Sequence, residues 1–283
     1  FFFFFFCRND FTRRPDLMAT GRTVLGRNAP RGQQTDQNYF GSFPNRINNF
    51  MTDLSTELWA LGMSYVVEHN EVAPAQHEFS PVFALTNVAA DQNVMAIEVM
   101  NEIAARHGLR VLCHEKPFAN INGSGKHCNW GLNTDSGKNL FHPGKTAASQ
   151  ASFILHVAAL CRALHRHGDL IRTGVANAGN DHRLGAQEAP PAIISVYTGH
   201  IMEQHIRALM NGGPLEGYTG GTKAIPTGTR AVAPIHGGLE DRNRTAPFPF
   251  CGNRFEFRAV GASQNIAAAA LGRGPQQARA ARA

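Results

Sequence analysis

The sequence predicts an α+β fold with an antiparallel β-sheet, and three observations carry that expectation. Long segments repeat apolar residues at three- and four-residue steps, the period of a helix with one buried face. Residues Arg254 to Arg258 alternate strictly instead, with Arg254, Glu256 and Arg258 on one face and Phe255 and Phe257 on the other, as in a strand. Extended and helical segments lack regular βαβ alternation, which argues against a parallel sheet.

Taken in order, Arg8 to about Pro44 is rich in Arg, Asn, Gly and Pro and reads as loop, with one short strand at Thr23 to Leu25. Ile47, Phe50, Met51, Leu54, Leu58 and Leu61 share one face of a helix over Asn45 to Leu61, stopped by Gly62. Tyr65 to Glu71 reads as a strand, Pro74 breaks it, and Gln76 to Val82 resumes the extended pattern. Val94, Ile97, Met100, Ile103 and Ala104 predict a second helix, about Asn87 to His107, with Gly108 as its C-cap. Val111 to Cys113 is a short strand leading into a Gly-rich loop. Phe153, Ile154, Val157, Leu160, Cys161 and Leu164 predict a third helix, about Gln150 to His167, ending at Gly168. A fourth begins at Pro190-Pro191, where proline suits the first turn, and runs to Met210.

Composition narrows the functional classes. The 283 residues are enough for one large domain or two small ones, and 43% of them are hydrophobic with a mean hydropathy of −0.25. No window approaches the roughly 18 unbroken apolar residues of a spanning helix, so no membrane partner is expected. Net charge is +6, but Lys plus Arg exceed Asp plus Glu by only 27 to 21, and Arg273, Arg279 and Arg282 lie in an Ala/Arg-rich tail. Nucleic-acid binding is not expected from so dispersed a charge. The five cysteines, Cys7, Cys113, Cys128, Cys161 and Cys251, form no C-x-x-C pair, which favours a reducing compartment over a disulfide framework. Phe1 to Phe6 form an unbroken run that has no basic n-region and is too short for a signal peptide. The expectation is a chain with a truncated or aberrant start.

Three groups of residues can carry chemistry. Glu68 to Glu78 places carboxylates on both sides of a proline-broken turn, so that Glu71 and Glu78 can converge as half of a divalent-metal site. A solvated hairpin with charged flanks has the same spacing. Asn120 to His127 is a Gly-rich loop but not a phosphate-binding G-x-x-x-x-G-K-[ST] loop, because Asn120 stands at the first glycine and His127 replaces the hydroxyl residue. A tight turn without ligand fits it equally. On the strand at Arg254 to Arg258, a carboxylate between two guanidinium groups is held ionised and suits a metal ligand; an exposed ion-pair ladder is the alternative.

The segments EHNEVAPAQHE, HEKPFANINGSGKHCNW, NDHRLGAQEAPPAI, EDRNRTAPF and CGNRFEFR occur in the order found in glutamine synthetases, and most closely resemble the type III branch. The similarity runs from about Arg14 to Gln264. It implies a glutamine synthetase catalytic domain with an antiparallel sheet flanked by helices, spanning residues 14–265 between an aberrant or truncated N-terminus (1–13) and a low-complexity Ala/Arg tail (266–283). It further implies ATP-dependent ligation of ammonium to L-glutamate through γ-glutamyl phosphate, with Mg²⁺ or Mn²⁺, in homo-oligomeric stacked rings. A cytoplasmic location is implied, or a plastid one in a eukaryote. By this resemblance Glu71 and Glu78 hold one metal, and His127 and Glu256 hold the other. Asn122 and Gly123 bind glutamate, and Arg183 clamps its carboxylate. Arg244 and Arg258 stabilise the transferring phosphate, Asn129, Arg244 and Arg254 face the nucleotide, and Glu188 closes the site and helps deprotonate ammonium.

The resemblance is incomplete in ways that bear on activity. Family members carry an E-x-E-like strand where this chain has Phe1 to Phe6, so each metal is expected to lack one carboxylate. An N-terminal β-grasp domain and a C-terminal helical region are expected to be missing, and Gly131 stands where a serine is common. The expectation is therefore a catalytic-core fragment. The alternative is an inactive paralogue or fragment serving as a nucleotide-binding or structural subunit; a guanidino-kinase-like phosphotransferase fits the ordered motifs less well.

Overall fold

The computed structural model describes residues 2–7, 37–73, 75–115, 122–123, 125–181, 194–215, 217–220, 222–225, 228–229, 231, 233, 235–238 and 246–267. The expected strand at Thr23 to Leu25, most of the Ala/Arg tail, and Arg183, Glu188 and Arg244 lie outside the described residues. The chain divides into two units: Phe1–Lys126 with Thr173–Ala189 and Ala259–Leu271, and His127–Arg172 with Pro190–Arg258 and Gly272–Ala283.

The first unit is built on a four-stranded sheet. Strands β1 (Phe2–Cys7), β2 (Tyr65–Asn70), β3 (Gln76–Pro81) and β4 (Leu109–Leu112) lie in the order β2-β3-β1-β4, every pairing antiparallel. A uniform run of Phe carries no period-two signal, so β1 was not legible as a strand; its pairing identifies it. A one-turn helix α1 (Gln37–Phe40) stands in the segment read as loop. Helices α2 (Asn45–Ala60) and α3 (Thr86–Arg106) match the expected ones to within one residue at each end.

The core follows from the two periods. Ile47, Phe50, Met51, Leu54 and Leu58 of α2 meet Ala96, Met100, Ile103 and Ala104 of α3, and Tyr65, Phe79, Leu109 and Val111 of the sheet complete the cluster. Tyr65 and Phe79 stack with ring centroids 4.1 Å apart. Helix α3 ends as its sequence requires: Gly108 has φ of 62°, a left-handed conformation that costs a side-chain-bearing residue about 1 kcal/mol. The Arg46 side chain donates from Nη2 to the carbonyls of His107 and Gly108 at 2.8 and 3.2 Å, satisfying end-of-helix acceptors.

Short strand β5 (Gly125–Trp130) pairs with β10 (Phe255–Gly261). The Gly-rich loop read from the sequence therefore becomes a strand at Gly125, which places His127 on β5 rather than in a loop. In the first unit the turn after β10 is tied down by buried polar groups. Glu115 accepts from the Ser263 backbone N–H at 3.1 Å and from its hydroxyl at 2.5 Å, and Lys126 Nζ donates to the Gln264 carbonyl. A Cβ at Gly261 would lie 2.5 Å from the Glu115 carboxylate, so only glycine allows this approach.

The second unit holds helix α4 (Ala147–Thr173), the two-residue strands β6 (Val196–Tyr197) and β9 (Phe248–Pro249), helix α6 (His200–Met210), and the hairpin of β7 (Thr222–Ile225) with β8 (Ile235–Gly238); a short helix α5 (Ala178–Asp181) belongs to the first unit. β6 and β9 pair in parallel, a two-residue exception to the antiparallel expectation. α4 is capped by Thr146, whose hydroxyl accepts from the Ser149 N–H at 3.2 Å, while the Ser149 hydroxyl accepts from the Thr146 N–H at 3.0 Å. It continues past the expected stop at Gly168, with a kink at His167 (φ −129°, ψ 23°). Of the fourth predicted helix, the part that ends at Met210 begins at His200, after β6 and Gly199 (φ 84°); the expected start at Pro190 lies outside the described residues.

By length and composition α4 is apolar enough to cross a membrane. Its apolar face is nevertheless occupied: Phe153 stacks on Tyr218 at 5.5 Å and packs against Phe250 at 5.6 Å, and Gln150 donates to the Tyr218 carbonyl and accepts from the Gly217 N–H. One face of α4 is packed in this way. Phe141, Phe248, Phe250, Phe255 and Trp130 form an adjoining aromatic cluster, with Phe141 and Phe255 edge to face at 5.0 Å.

Cys113, Cys128, Cys161 and Cys251 are free thiols. Burial pushes the Cys113 thiol up to about 11. At pH 8 only about one molecule in a thousand would then carry the reactive thiolate. In the folded protein Cys113 is expected to resist iodoacetamide at pH 8 under conditions that label it fully in urea; peptide mass mapping showing equal labelling in both states would contradict this.

Candidate active site

The loop between β2 and β3 brings the first set of predicted residues together. Antiparallel register sets His69 directly opposite Glu78, and Glu71 follows one residue beyond the end of β2. Asn38 of α1 is buried in this turn, donating to the Ala73 carbonyl at 2.8 Å and to the Glu71 carbonyl. His69 Nε2 lies 3.0 Å from Glu71 Oε1 and 2.7 Å from Glu78 Oε2. Glu71 is fully buried. Ser80 donates to the other oxygen of Glu78 at 2.9 Å.

Electrostatics follow the geometry. Hydrogen bonds to Glu71 and Glu78, opposed by burial, push the His69 imidazolium up to about 9. Burial raises the Glu78 carboxyl, but the hydrogen bond and charge of His69 outweigh it and hold the group well below the usual carboxylate range. The convergence of Glu71 and Glu78 expected from the sequence is thus present, and the alternative of a solvated hairpin is corrected by the burial of Glu71. His69 is the addition. It lies two residues before Glu71, so period-two alternation was the available signal.

Asn122 is buried, and the Gly123 carbonyl accepts from Gln76 Nε2 at 3.0 Å. This fixes the predicted glutamate-binding pair to β3, two residues from Glu78.

In the second unit the residues of β5 and β10 form a polar chain. His127 Nδ1 is 3.7 Å from Glu256 Oε1. Asn129 donates to the same oxygen at 3.1 Å, and Arg258 Nε donates to Glu256 Oε2 at 2.6 Å. Arg254 Nε donates to Asn129 Oδ1 at 2.9 Å. The expected carboxylate between two guanidinium groups is therefore corrected: Glu256 sits between Arg258 and Asn129, and Arg254 reaches it only through Asn129. The physical reason is that Arg254 precedes the strand, in the turn before Phe255. Arg258 is buried, so the ladder is not an exposed one. Burial raises the Glu256 carboxyl, while the charge of His127 and the hydrogen bonds from Arg258 and Asn129 lower it further, leaving it ionised at neutral pH.

Both donor sets suit a divalent ion. Two ligands at right angles around an ion with bonds of about 2.1 Å lie about 3.0 Å apart, close to the separations in the His69–Glu71–Glu78 group. Imidazole with carboxylate at His127 and Glu256 is likewise a common donor pair for such ions.

Known proteins give the context. The family model described as glutamine synthetase, catalytic domain, matches residues 2–165, a stretch that begins with β1. The type-3 glutamine synthetase of Dictyostelium discoideum is 46% identical over 264 residues, 93% of this chain and 36% of that protein. Glutamine synthetases of Bacteroides fragilis and Butyrivibrio fibrisolvens are 43% and 42% identical over 92% and 90% of the chain. The chain spans about a third of the length of these relatives, 36% in each case. A solved GmaS/ADP complex has a similar fold, with a TM-score of 0.64 at 18% identity over 99% of this chain and 53% of its own. A match over more than half the sequence, together with relatives above 40% identity along nearly all of it, makes this chain a member of the glutamine synthetase family.

Proposed function

We propose that the protein containing this chain ligates ammonia to L-glutamate with ATP, through γ-glutamyl phosphate. The γ-carboxylate oxygen attacks the γ-phosphorus and ADP leaves; ammonia then attacks the carbonyl carbon of the acyl phosphate, its nitrogen loses a proton, and phosphate departs with the electrons of the C–O bond. The observation that carries this reading is the half-buried Glu256, held ionised beside His127 by Arg258 and Asn129. Mg²⁺ or Mn²⁺, when bound, supplies neutralisation of the phosphate charge.

Each residue has a part in this proposal. Glu71 and Glu78 hold one ion, His127 and Glu256 the other. Asn122 and Gly123 orient glutamate, and Arg183 clamps its α-carboxylate in bidentate fashion. Arg258 fixes the Glu256 carboxylate and, with Arg244, balances charge on the transferring group. Asn129 and Arg254, already hydrogen-bonded to each other, face the nucleotide with Arg244. Glu188 takes the proton from ammonium. Homo-oligomeric rings and a cytoplasmic or plastid setting belong to the same proposal; the free thiols support a reducing compartment.

A second reading, a nucleotide-binding or structural subunit without catalysis, is favoured by one observation: β1 consists of five Phe and one Cys and contributes no carboxylate beside β3. Positional isotope exchange in ATP labelled with ¹⁸O at the β,γ-bridge separates the two. Scrambling that requires glutamate but not ammonium is expected from the intact protein. Nucleotide binding without scrambling would overturn the ligase proposal in favour of the second reading.

A further inference from the structure

Resting on the proposed role of Asn122 and Gly123 in orienting glutamate, we infer that Gln76 is a positioning residue for that substrate: its side-chain amide holds the Gly123 carbonyl and so sets the backbone that glutamate meets. Gln76 Nε2 donates to the Gly123 carbonyl at 3.0 Å, across 47 positions of sequence. The hairpin makes Gln76 a rigid base for this bond. Its backbone N–H donates to the Ala73 carbonyl at 3.1 Å, and its own carbonyl accepts from the Glu71 N–H at 3.0 Å. The next residue is fixed as well: His77 is fully buried, with Nδ1 2.8 Å from Asn70 Oδ1 and its ring stacked on Phe43 at 5.4 Å.

The amide holds Gly123 at a cost to the fold. Gln76 is fully buried, and with Nε2 turned to a carbonyl its Oε1 meets no hydrogen-bond donor among the described residues. An unmet buried acceptor is destabilising, and an apolar side chain of the same length would pack without it. Nor does the Gly123 carbonyl need Gln76 for satisfaction: Gly123 is half-buried, so water can take the amide's place. What the amide adds is a fixed direction for that carbonyl. Three residues on, buried Lys126 is tied to the Gln264 carbonyl and anchors the strand that follows, which leaves Gln76 as the anchor at Gly123 itself. A group that weakens the fold while gripping a substrate-facing segment has the pattern of a functional residue.

Steady-state kinetics of the intact protein carrying Gln76→Met is the test. The glutamate KM is expected to rise about tenfold, the size of one hydrogen bond, with kcat and the ATP KM within about twofold of the parent. Because the substitution removes an unmet acceptor together with one bond, the urea midpoint should stay at or above the parent's. Hydrogen–deuterium exchange should quicken in the peptide containing Gly123 while β2 stays unchanged. A residue with a merely structural role would lower the midpoint and move both KM values together, and that result would overturn the inference, as would unchanged exchange at Gly123. Gln76→Leu supplies the same readings if the Met variant does not fold. A parent that is active with glutamate and keeps its glutamate KM on substitution would overturn the Gln76 inference alone. A parent that forms no ADP in response to glutamate would overturn the ligase proposal and this inference with it.

Discussion

Replacing Glu256 by alanine is expected to lower divalent-ion affinity at His127 by at least about 100-fold and to abolish γ-glutamyl transfer. Losing even an outer partner of a ligand costs up to about that factor, and here the ligand itself is removed. The same substitution leaves the buried Arg258 guanidinium without its carboxylate partner, at a cost of about 3 kcal/mol. Glu256→Gln separates the effects. An amide oxygen can still accept from Arg258, although the bond that Asn129 makes to the other carboxylate oxygen is lost, so part of the stability should return while metal binding and transfer stay absent. Transfer activity retained in Glu256→Gln at saturating Mn²⁺ would show that Glu256 is an internal ion-pair residue.

Phe255→Ala is expected to be the most destabilising core substitution of the second unit, by about 3–5 kcal/mol. Phe255 is fully buried, and its ring touches Phe141, Phe250, Phe248 and Trp130 at centroid distances of 5.0 to 6.1 Å. It is also the residue that orients β10, since Glu256 points to the opposite face of the strand. Urea unfolding should show a large fall in midpoint with Phe255→Ala. Phe40→Ala, at a side chain that is 78% exposed, should stay within about 0.5 kcal/mol of the parent. Equal effects at the two positions would contradict the packing described above.

These two residues illustrate what sequence could and could not reveal. Alternation in Arg254 to Arg258 was enough to put Phe255 in a core and Glu256 on the other face. It could not supply Asn129, 127 positions away, which reaches Glu256 only because β5 pairs with β10. Helices α2 and α3 were legible almost to the residue, because an apolar stripe of period 3.6 ran into a glycine at Gly62 and Gly108. Local signals failed where tertiary structure overrode them. Gly168 reads as a stop but follows a kink that α4 survives, with Ile171 buried beyond it. The expected continuous helix up to Met210 is interrupted by β6, and its last part begins only after Gly199; its expected start at Pro190-Pro191 lies outside the described residues. The run of Phe had no periodicity to read at all, and only its register against Glu78 and Leu112 identifies it as a sheet strand. His69 was in view within the motif that carries Glu71 and Glu78; cross-strand register, not composition, brings it between them.

Two donor sets, one in each unit, are proposed to hold divalent ions. Equilibrium titration with Mn²⁺, followed by the loss of the free-ion electron paramagnetic resonance signal, counts them directly. Two ions per chain are expected, with Glu78→Gln removing one and Glu256→Gln removing the other. A stoichiometry that neither substitution changes would contradict the account.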